Sequence, residues 1–375
     1  MMKINLEESG SNESLISLLQ QYDQDTSVEG IMILSCDANQ LDPQQIDPQL
    51  YQLCKPVFGG VFPEIIHGRQ KYERGSIVVG LSQEPQVNLI TDLANPEHDL
   101  ADIIDYQLPD LDGIETMFVM VDGLAERIGD LIRGIFEIVG QDLNIIGGGA
   151  GSLSFEQRPC IFTNEGMKEN CAQLVLTGFK SGIGVSHGWK SISGPYRVTK
   201  ANGNTIEALD WQPAFDIYRK VVEAASSQTF GEGNFFDIAK GFPFGINKLG
   251  TEKVVRDPII LNEQGELVCV GEVAEGSYVD ILQGNVASLV SAAQTALERG
   301  LDEFPGVPEQ PLHFFIDCIS RVLFLEEEFS QELDAVYQEG CPMIGALTLG
   351  EIANSGKEYL EFYNKTAVIG VLETK

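Results

Sequence analysis

Short runs of consecutive apolar residues recur along the chain and predict its strands. Continuous runs rich in Val and Ile are typical of strands that are buried on both faces of a sheet. Three segments share one pattern: an apolar strand, a helical segment, a turn of small residues and a closing apolar strand. The opening strands are predicted at 30–36, 116–122 and 313–318, the turns at 57–60, 145–151 and 343–346, and the closing strands at 76–81, 173–179 and 367–372.

Helices are predicted where apolar residues recur at i, i+3, i+4 and i+7, which places them on one face. Such stripes run through 15–22, 128–139, 286–297 and 329–337, and Pro213 marks the start of a further helix. Because strands buried on both faces need covering layers, the fold class is α/β, with mixed buried sheets covered by helices. The unit of strand, helix, glycine turn and strand is interpreted as an internal repeat.

The length and a change of composition predict two domains. At about 150 residues per domain, 375 residues are enough for roughly two. A polar, glycine-rich stretch at 225–233 is the best candidate for the boundary between them. We therefore predict an N-terminal helix and lead-in at 1–27, a first domain at 28–225 and a second at 226–375.

The charge balance restricts the partners of this protein. The chain has 24 Lys and Arg against 56 Asp and Glu, a net charge of −32. The electrostatic field of this negative charge repels phosphate backbones and anionic lipid headgroups, so we expect neither nucleic acid nor a membrane as a partner. No apolar run approaches the roughly 18–20 residues that span a bilayer. The seven cysteines contain no CxxC pair, which favours free thiols and a cytoplasmic location.

Two short motifs suggest enzyme chemistry, and their context argues against both. The glycine cluster at 147–151 lacks the Lys of a P-loop, and Pro159 with the apolar 160–162 indicates loop and strand instead of a phosphate-binding helix. Residues 184–188 match the G-x-S-x-G nucleophile elbow, which needs a helix directly after the serine. The segment 189–195 cannot begin a helix cleanly. We therefore expect close packing at the glycines and no enzyme, neither nucleotide-binding nor a serine hydrolase.

Several segments carry a resemblance to a known family. The N-terminal part contains GVSHGW at 184–189 and RVTKANGN at 197–204, followed by Asp210 and Ala214. The C-terminal part contains DCISR at 317–321, GEI at 350–352 and FYNKT at 362–366. In order and spacing these segments resemble the two halves of the FIST domain. Trp211 and Ser320 stand where that family usually has glycine.

The resemblance implies a sensory function. FIST domains are regarded as intracellular sensory modules for small ligands, with amino acids as candidates, in signal transduction. Some stand-alone bacterial members are similar to haem-binding nitric-oxide sensors that control histidine kinases. By this resemblance, 28–225 is the FIST N-terminal-like domain and 226–375 the FIST C-terminal-like domain. The chain would act as a separate sensor subunit on a histidine kinase or another signalling protein.

The leading hypothesis is a ligand-binding sensor with its pocket between the two halves. Polar residues on predicted turns and strand ends are the candidate ligand contacts, because loops on a rigid scaffold carry function. They are His187, Trp189, Arg197, Arg321 and Glu351. Two arginines could clamp a carboxylate and Trp189 could supply an apolar wall. The structural alternative is that Trp189 belongs to the core and the arginines pair with acids of the chain.

Two further hypotheses stay open. If haem is the cofactor, a neutral imidazole would hold the iron from one side and leave the other face for nitric oxide. His187 is the first choice for this ligand and His67 the second. The other hypothesis is a protein-interaction scaffold without a small ligand, which the charge of −32 would steer toward a basic partner surface.

Overall fold

The computed structural model describes residues 2–108, 111–248, 253–354 and 359–373. Short 3₁₀ turns lie at Asp37–Asn39 and Glu326–Glu328. The helices are α1 (Asn12–Gln24), α2 (Pro43–Leu50), α3 (Leu100–Gln107), α4 (Ile128–Val139), α5 (Ala214–Ser226), α6 (Phe235–Ala239), α7 (Val286–Glu303), α8 (Ile319–Leu325) and α9 (Phe329–Val336). None of the helices among these residues combines the length and apolar composition that a bilayer crossing requires.

The strands make up most of the regular structure. They are β1 (Lys3–Glu7), β2 (Gly30–Cys36), β3 (Val57–Phe62), β4 (Glu64–His67), β5 (Gln70–Tyr72), β6 (Ser76–Leu81), β7 (Gln86–Thr91), β8 (Thr116–Asp122), β9 (Asn144–Ala150), β10 (Ile161–Thr163), β11 (Gly166–Lys168), β12 (Cys171–Thr177), β13 (Ser181–Ser186), β14 (Lys190–Asn202), β15 (Thr205–Leu209), β16 (Gln212–Pro213), β17 (Phe244–Ile246), β18 (Val254–Arg256), β19 (Pro258–Leu261), β20 (Leu267–Cys269), β21 (Tyr278–Gln283), β22 (Pro311–Cys318), β23 (Met343–Thr348), β24 (Glu351–Ala353), β25 (Glu361–Tyr363) and β26 (Ala367–Glu373).

Three six-stranded sheets have the same arrangement of strands. Sheet I has the order β1-β6-β2-β3-β10-β11, sheet II β7-β12-β8-β9-β24-β25, and sheet III β13-β26-β22-β23-β4-β5. In each sheet the central pair (β2–β3, β8–β9 or β22–β23) is parallel and the other neighbours are antiparallel. The mixed, buried sheets predicted from the apolar runs are therefore confirmed.

The outer hairpin of each sheet comes from a different part of the chain. Strands β4 and β5, which follow β3 of sheet I, complete sheet III. Strands β10 and β11 follow β9 of sheet II and complete sheet I, and β24 and β25 follow β23 of sheet III and complete sheet II. This exchange interlocks the sheets and places strands from both predicted domains in sheets II and III. The domain boundaries and the repetition in sequence stay predictions.

The predicted small-residue turns are wrong, because all of these residues except Gly151 lie inside strands. Gly59, Gly147 and Gly345 occupy the same position of the three parallel ladders, opposite Ile33, Val119 and Phe315. A Cβ atom would lie 1.9, 1.8 and 1.7 Å from the respective carbonyl oxygens of those three partners. The glycines are therefore required by close approach of two backbones. The close packing expected at Gly147 is confirmed.

The three sheets share one core, and helices cover their outer faces. Phe58, Phe118 and Phe314, one from each sheet, meet with ring centroids 5.9 and 5.7 Å apart. Helix α7 packs against β13 and β26, and α3 packs against α4 beside sheet II. The N-terminal lead-in is itself a strand, β1, which pairs with β6 and was not predicted. The layer of helices over sheets agrees with the predicted fold class.

A fourth sheet contains the long strand β14. Its order is β18-β17-β21-β14-β15-β20-β19, and β16 pairs with β15. Strands β19 and β20 form a hairpin around the glycine turn at 262–265. Because β14 begins at Lys190 directly after the turn that follows β13, this sheet joins sheet III at that turn. The candidate site lies there.

Candidate functional site

A groove of about 600 Å³ lies between the turn after β13 and the first turns of α7. One wall comes from residues 186–190 and the other from residues 285–295, so the two halves of the chain meet in it. The lining consists of Ser186, Gly188, Trp189, Lys190, Asn285, Ala287, Ser288, Ser291, Ala292 and Thr295. Taken over the part of the chain that the structure describes, this lining contains Lys190 and no Asp or Glu.

Local sequence brings the two walls together. Gly188 has a φ of +76°, and a Cβ atom there would lie 2.4 Å from the Ser288 carbonyl oxygen and 2.9 Å from the Ala292 Cβ atom. The backbone of one wall therefore touches the helix of the other. Helix α7 begins with a capping box, in which the Asn285 side chain accepts from the Ser288 amide at 2.9 Å. This cap fixes where the helix starts beside the groove.

His187 is buried behind the groove wall. Its Nδ1 atom accepts a hydrogen bond from the Trp189 amide at 2.9 Å, and its carbonyl accepts from Arg321 Nη1 at 2.8 Å. A histidine that binds a metal through Nε2 normally donates its Nδ1–H to an acceptor. Because Nδ1 is itself the acceptor here, His187 does not fit an axial haem ligand. Across the four described ranges, no group of three or more His, Cys, Asp and Glu side chains could hold a metal ion.

His67, the second choice for haem, lies in another part of the fold. It ends β4, pairs with Ile344 of β23 and with Gln70 of β5, and is half-buried. Burial lowers the pKa of its imidazole, because the charged form loses hydration. His67 is not among the residues that line the groove.

Trp189 forms part of the groove wall and also contacts the buried residue Lys365, which pairs with Asp257. Its Nε1 atom donates to the Lys365 carbonyl at 3.0 Å, and its ring packs against Phe324 with centroids 5.0 Å apart. The Lys365 ammonium lies 5.1 Å from the centroid of a Trp189 ring and 3.1 Å from Asp257 Oδ2. Trp189 thus lies between the groove on one side and buried charges on the other.

Arg321 is fully buried and forms five hydrogen bonds within the fold. Glu332 Oε1 accepts from Nε at 3.0 Å and from Nη2 at 2.6 Å, and Asp317 Oδ1 lies 3.0 Å from Nε. The remaining donors go to backbone carbonyls. Since a guanidinium has five N–H groups, none is left for a ligand carboxylate. Arg321 therefore pairs with acids of the chain, as the structural alternative stated. Its geometry does not support direct contact with the carboxylate of a ligand.

The carboxyl groups around Arg321 resist ionisation. Burial, and next the neighbouring Glu332, raise the pKa of Asp317 well above its ordinary value. Burial likewise raises the pKa of Glu332, against the opposing effect of Arg321. One guanidinium faces two buried carboxyl groups, so the cluster is electrically balanced when one of them holds a proton.

Glu351 lies at the start of β24 in the same buried region. Its Oε1 atom is 3.0 Å from Thr348 Oγ1, and its Oε2 atom accepts from the Thr366 amide at 3.2 Å. Burial raises its pKa to about 8, although Thr348, Cys318 and Arg321 act in the opposite direction. Glu351 is fully buried and does not line the groove. It belongs to the buried cluster that contains Arg321, Asp317 and Glu332.

Comparison with known protein families agrees with the sequence resemblance. The FIST N domain matches residues 30–212, and the FIST C domain matches residues 214–354. The chain belongs to the FIST domain family. FIST domains are associated with sensing in signal transduction. The similarity to haem-binding nitric-oxide sensors stays a prediction.

One curated relative also matches. The chain is 24% identical over 267 residues to Uncharacterized protein MJ1623 of Methanocaldococcus jannaschii. The matched region covers 64% of this chain and 50% of the relative. The chain thus spans about half the length of the curated relative it matches. The name of that protein assigns it no activity.

Arg197, the remaining candidate, is separated from the others. It lies on the exposed side of β14, seven residues after Lys190, and its guanidinium stacks 5.9 Å from a Trp211 ring. Its cross-strand neighbour is Tyr278. Of the five predicted FIST site residues, the structure brings His187, Trp189, Arg321 and Glu351 into one region and leaves Arg197 outside it.

Two residues in the turn between β15 and β16 adopt the left-handed backbone conformation, although neither is glycine. Asp210 and Trp211 have φ values of +47° and +62°, and the Trp211 side chain is 77% exposed. The Asp210 carboxylate accepts from the Arg197 amide at 2.9 Å, and the Trp211 amide donates to Thr199 at the same distance. These bonds hold the two residues in a conformation that costs a non-glycine residue about 1 kcal/mol.

We expect Trp211→Gly to stabilise the fold by up to about 1 kcal/mol, because glycine removes the left-handed strain and only an exposed cation–π contact is lost. Urea denaturation followed by circular dichroism measures the free energy of unfolding. Trp211→Phe keeps the strain and is the matched control, for which no gain is expected. Equal destabilisation by both variants would show that the Trp211 ring contributes more than the strain costs.

Sequence reasoning missed residues of both the groove and the buried cluster. Lys365 lay within the FYNKT segment at 362–366 but was not singled out. Glu332 could have been found, because it shares the buried face of α9 with Phe329, Leu333 and Val336. A charged residue on an apolar stripe indicates a buried partner. The serines and Thr295 of α7 gave no signal, since they look like an ordinary solvent-facing helix surface.

Proposed function

We propose that this FIST protein is a cytoplasmic sensor that binds a small molecule in the groove and thereby regulates a partner protein in signal transduction. The observation that carries the proposal is the groove itself, about 600 Å³ in volume and lined from both halves of the chain. Ligand sites in proteins are clefts of roughly 300–1,000 Å³ with a few placed polar groups. The partner class is a histidine kinase or another signalling protein. The seven cysteines are all unpaired, which supports a reducing compartment.

The lining favours a small polar ligand that carries negative charge. Lys190 is its one charged side chain among the described residues, in a chain with 56 acids. Ser186, Ser288, Ser291 and Thr295 supply hydroxyl groups. The amino end of α7 adds a positive electrostatic potential on the same side. Trp189, which is only 4% exposed, and Ala287 complete the lining with apolar atoms.

Blocking the groove tests the proposal. Small carboxylates and amino acids are screened by thermal shift, since a ligand that binds only the folded state raises its stability. We expect a shift in the parent protein that Ser291→Tyr abolishes, because the ring fills the groove from the exposed face of α7. Gln294→Tyr places the same ring on an exposed position of α7 outside the lining and should keep the shift. A shift retained in Ser291→Tyr would contradict the proposed site.

A further inference from the structure

The Arg321 guanidinium lies behind the groove and connects its two walls. Nη1 donates to the His187 carbonyl at 2.8 Å, in the segment that forms one wall. Nη2 donates to the Leu289 carbonyl at 3.1 Å, in the first turns of α7, which form the other wall. Nη1 also reaches the Lys365 carbonyl at 3.3 Å, the same oxygen that accepts from Trp189 Nε1. One side chain thus holds three separate backbone segments.

The shape of the guanidinium makes this connection rigid. Its N–H groups form a planar fork, so the carbonyls that accept from it are held at fixed relative positions. Gly188 of one wall already touches Ser288 and Ala292 of the other, which leaves little freedom to move closer. The Gly188 contact thus limits how closely the walls can approach, and the Arg321 hydrogen bonds oppose their separation, although Arg321 itself does not line the groove.

The other side of Arg321 is anchored by Glu332 and Asp317. All three side chains are fully buried, and Glu332 lies on α9. Movement of either groove wall would pull on Arg321 and through it on α9. Helices packed in a core shift as units and do not deform continuously, so such a displacement can be passed on.

We infer that Arg321 is a positioning residue of the groove, which fixes the distance between the walls at His187 and Leu289 and links that distance to α9 through Glu332. Its significance for ligand binding rests on the proposed function. The positioning role itself concerns the walls alone and can be measured without a ligand.

Trp189 is a built-in reporter of the groove wall. The chain contains two tryptophans, so Trp211→Phe leaves Trp189 as the single indole fluorophore. In this background we expect blue-shifted emission that acrylamide quenches weakly, because Trp189 is buried. Acrylamide is uncharged, so its access does not depend on the charges that the variants change.

Two variants remove the connection in different ways. Arg321→Lys keeps a cation beside Glu332 but cannot reach three carbonyls at once. The triple variant Asp317→Asn, Arg321→Met and Glu332→Gln removes the charges together, which avoids leaving a buried carboxylate without a partner. We expect increased acrylamide quenching and a red shift of Trp189 in both, with the larger effect in the triple variant. Should the triple variant fail to fold, Arg321→Lys decides the test.

The control separates local opening from general loss of stability. Leu131→Ala creates a cavity under α4 in a different part of the core and should leave Trp189 quenching unchanged under native conditions. Unchanged quenching in a folded Arg321 variant would overturn the inference. If the Arg321 variants open the wall but no screened compound gives a shift that Ser291→Tyr removes, the proposed function fails while the positioning role stands.

Discussion

Replacing Gly345 by alanine is expected to lower the free energy of unfolding by more than about 3 kcal/mol. Gly345 faces Phe315 across the parallel pair at the centre of sheet III. An added Cβ atom would lie 1.7 Å from the Phe315 carbonyl oxygen and 2.7 Å from its carbonyl carbon. The obstacle is backbone, which cannot rotate away as a side chain can. The central strands must separate, and the hydrogen bonds between them are strained.

Urea denaturation with circular dichroism measures this loss, and the chain offers a matched control. Gly231 lies in a connecting segment with open space around its Cα atom, so Gly231→Ala should change the free energy of unfolding by less than about 0.5 kcal/mol. We expect Gly147→Ala to resemble Gly345→Ala, because its Cβ atom would lie 1.8 Å from the Val119 carbonyl oxygen. Near-parental stability of Gly345→Ala would mean that the strands approach less closely than described.

These glycines show which part of the fold the sequence could reveal. The apolar runs around them predicted buried strands, because period and composition are local properties. Their own place was misassigned to turns, since a glycine needed for a turn and one needed for close approach look alike in sequence. The exchange of hairpins was not foreseeable either. Nothing in residues 64–67 indicates that β4 pairs with β23, which lies near the other end of the chain.

The candidate site was likewise predictable only in part. His187 and Trp189 were found through a short motif, and of the two Trp189 lines the groove while His187 is buried behind its wall. Arg321 and Glu351 were expected on accessible strand ends, yet both are fully buried. Arg and Glu are rarely buried unless paired, and the pairing of Arg321 depends on Glu332 of a separate helix. The sequence therefore identified these residues as candidates, whereas their roles follow from tertiary contacts.

The buried cluster makes the stability of this protein depend on pH. A carboxyl group whose pKa is raised in the folded state holds its proton where the unfolded chain has released it. For Glu351 this window runs from the ordinary value of 4.5 to about 8. Within it the unfolded state binds fewer protons, so the free energy of unfolding falls as the pH rises. Asp317 and Glu332, whose pKa values are also raised, contribute with the same sign.

We expect Glu351→Gln to flatten this dependence and to stabilise the protein at pH 7 by on the order of 3 kcal/mol, since pH 7 lies about 2.5 units above the ordinary pKa of 4.5 and each pH unit within the window costs about 1.4 kcal/mol. Glutamine resembles the protonated carboxyl group. Its amide nitrogen can donate to Thr348 Oγ1, which donates in turn to the Asp317 carbonyl, 3.3 Å away. Its oxygen can still accept from the Thr366 amide. Urea denaturation at a series of pH values gives the slope.

Glu137→Gln, at an exposed position of α4, controls for the loss of one negative charge from an acidic chain. It should leave the slope between pH 4.5 and 8 close to that of the parent. A residual slope is expected in Glu351→Gln because Asp317 and Glu332 still titrate. If the slope is the same in parent and Glu351→Gln, the proton on Glu351 is not retained by the fold, and the carboxylate is stabilised by Thr348, Thr366 and Arg321 more strongly than burial opposes it. The pH dependence of the cluster would then originate at Asp317 and Glu332, next to the Arg321 fork that holds the groove walls.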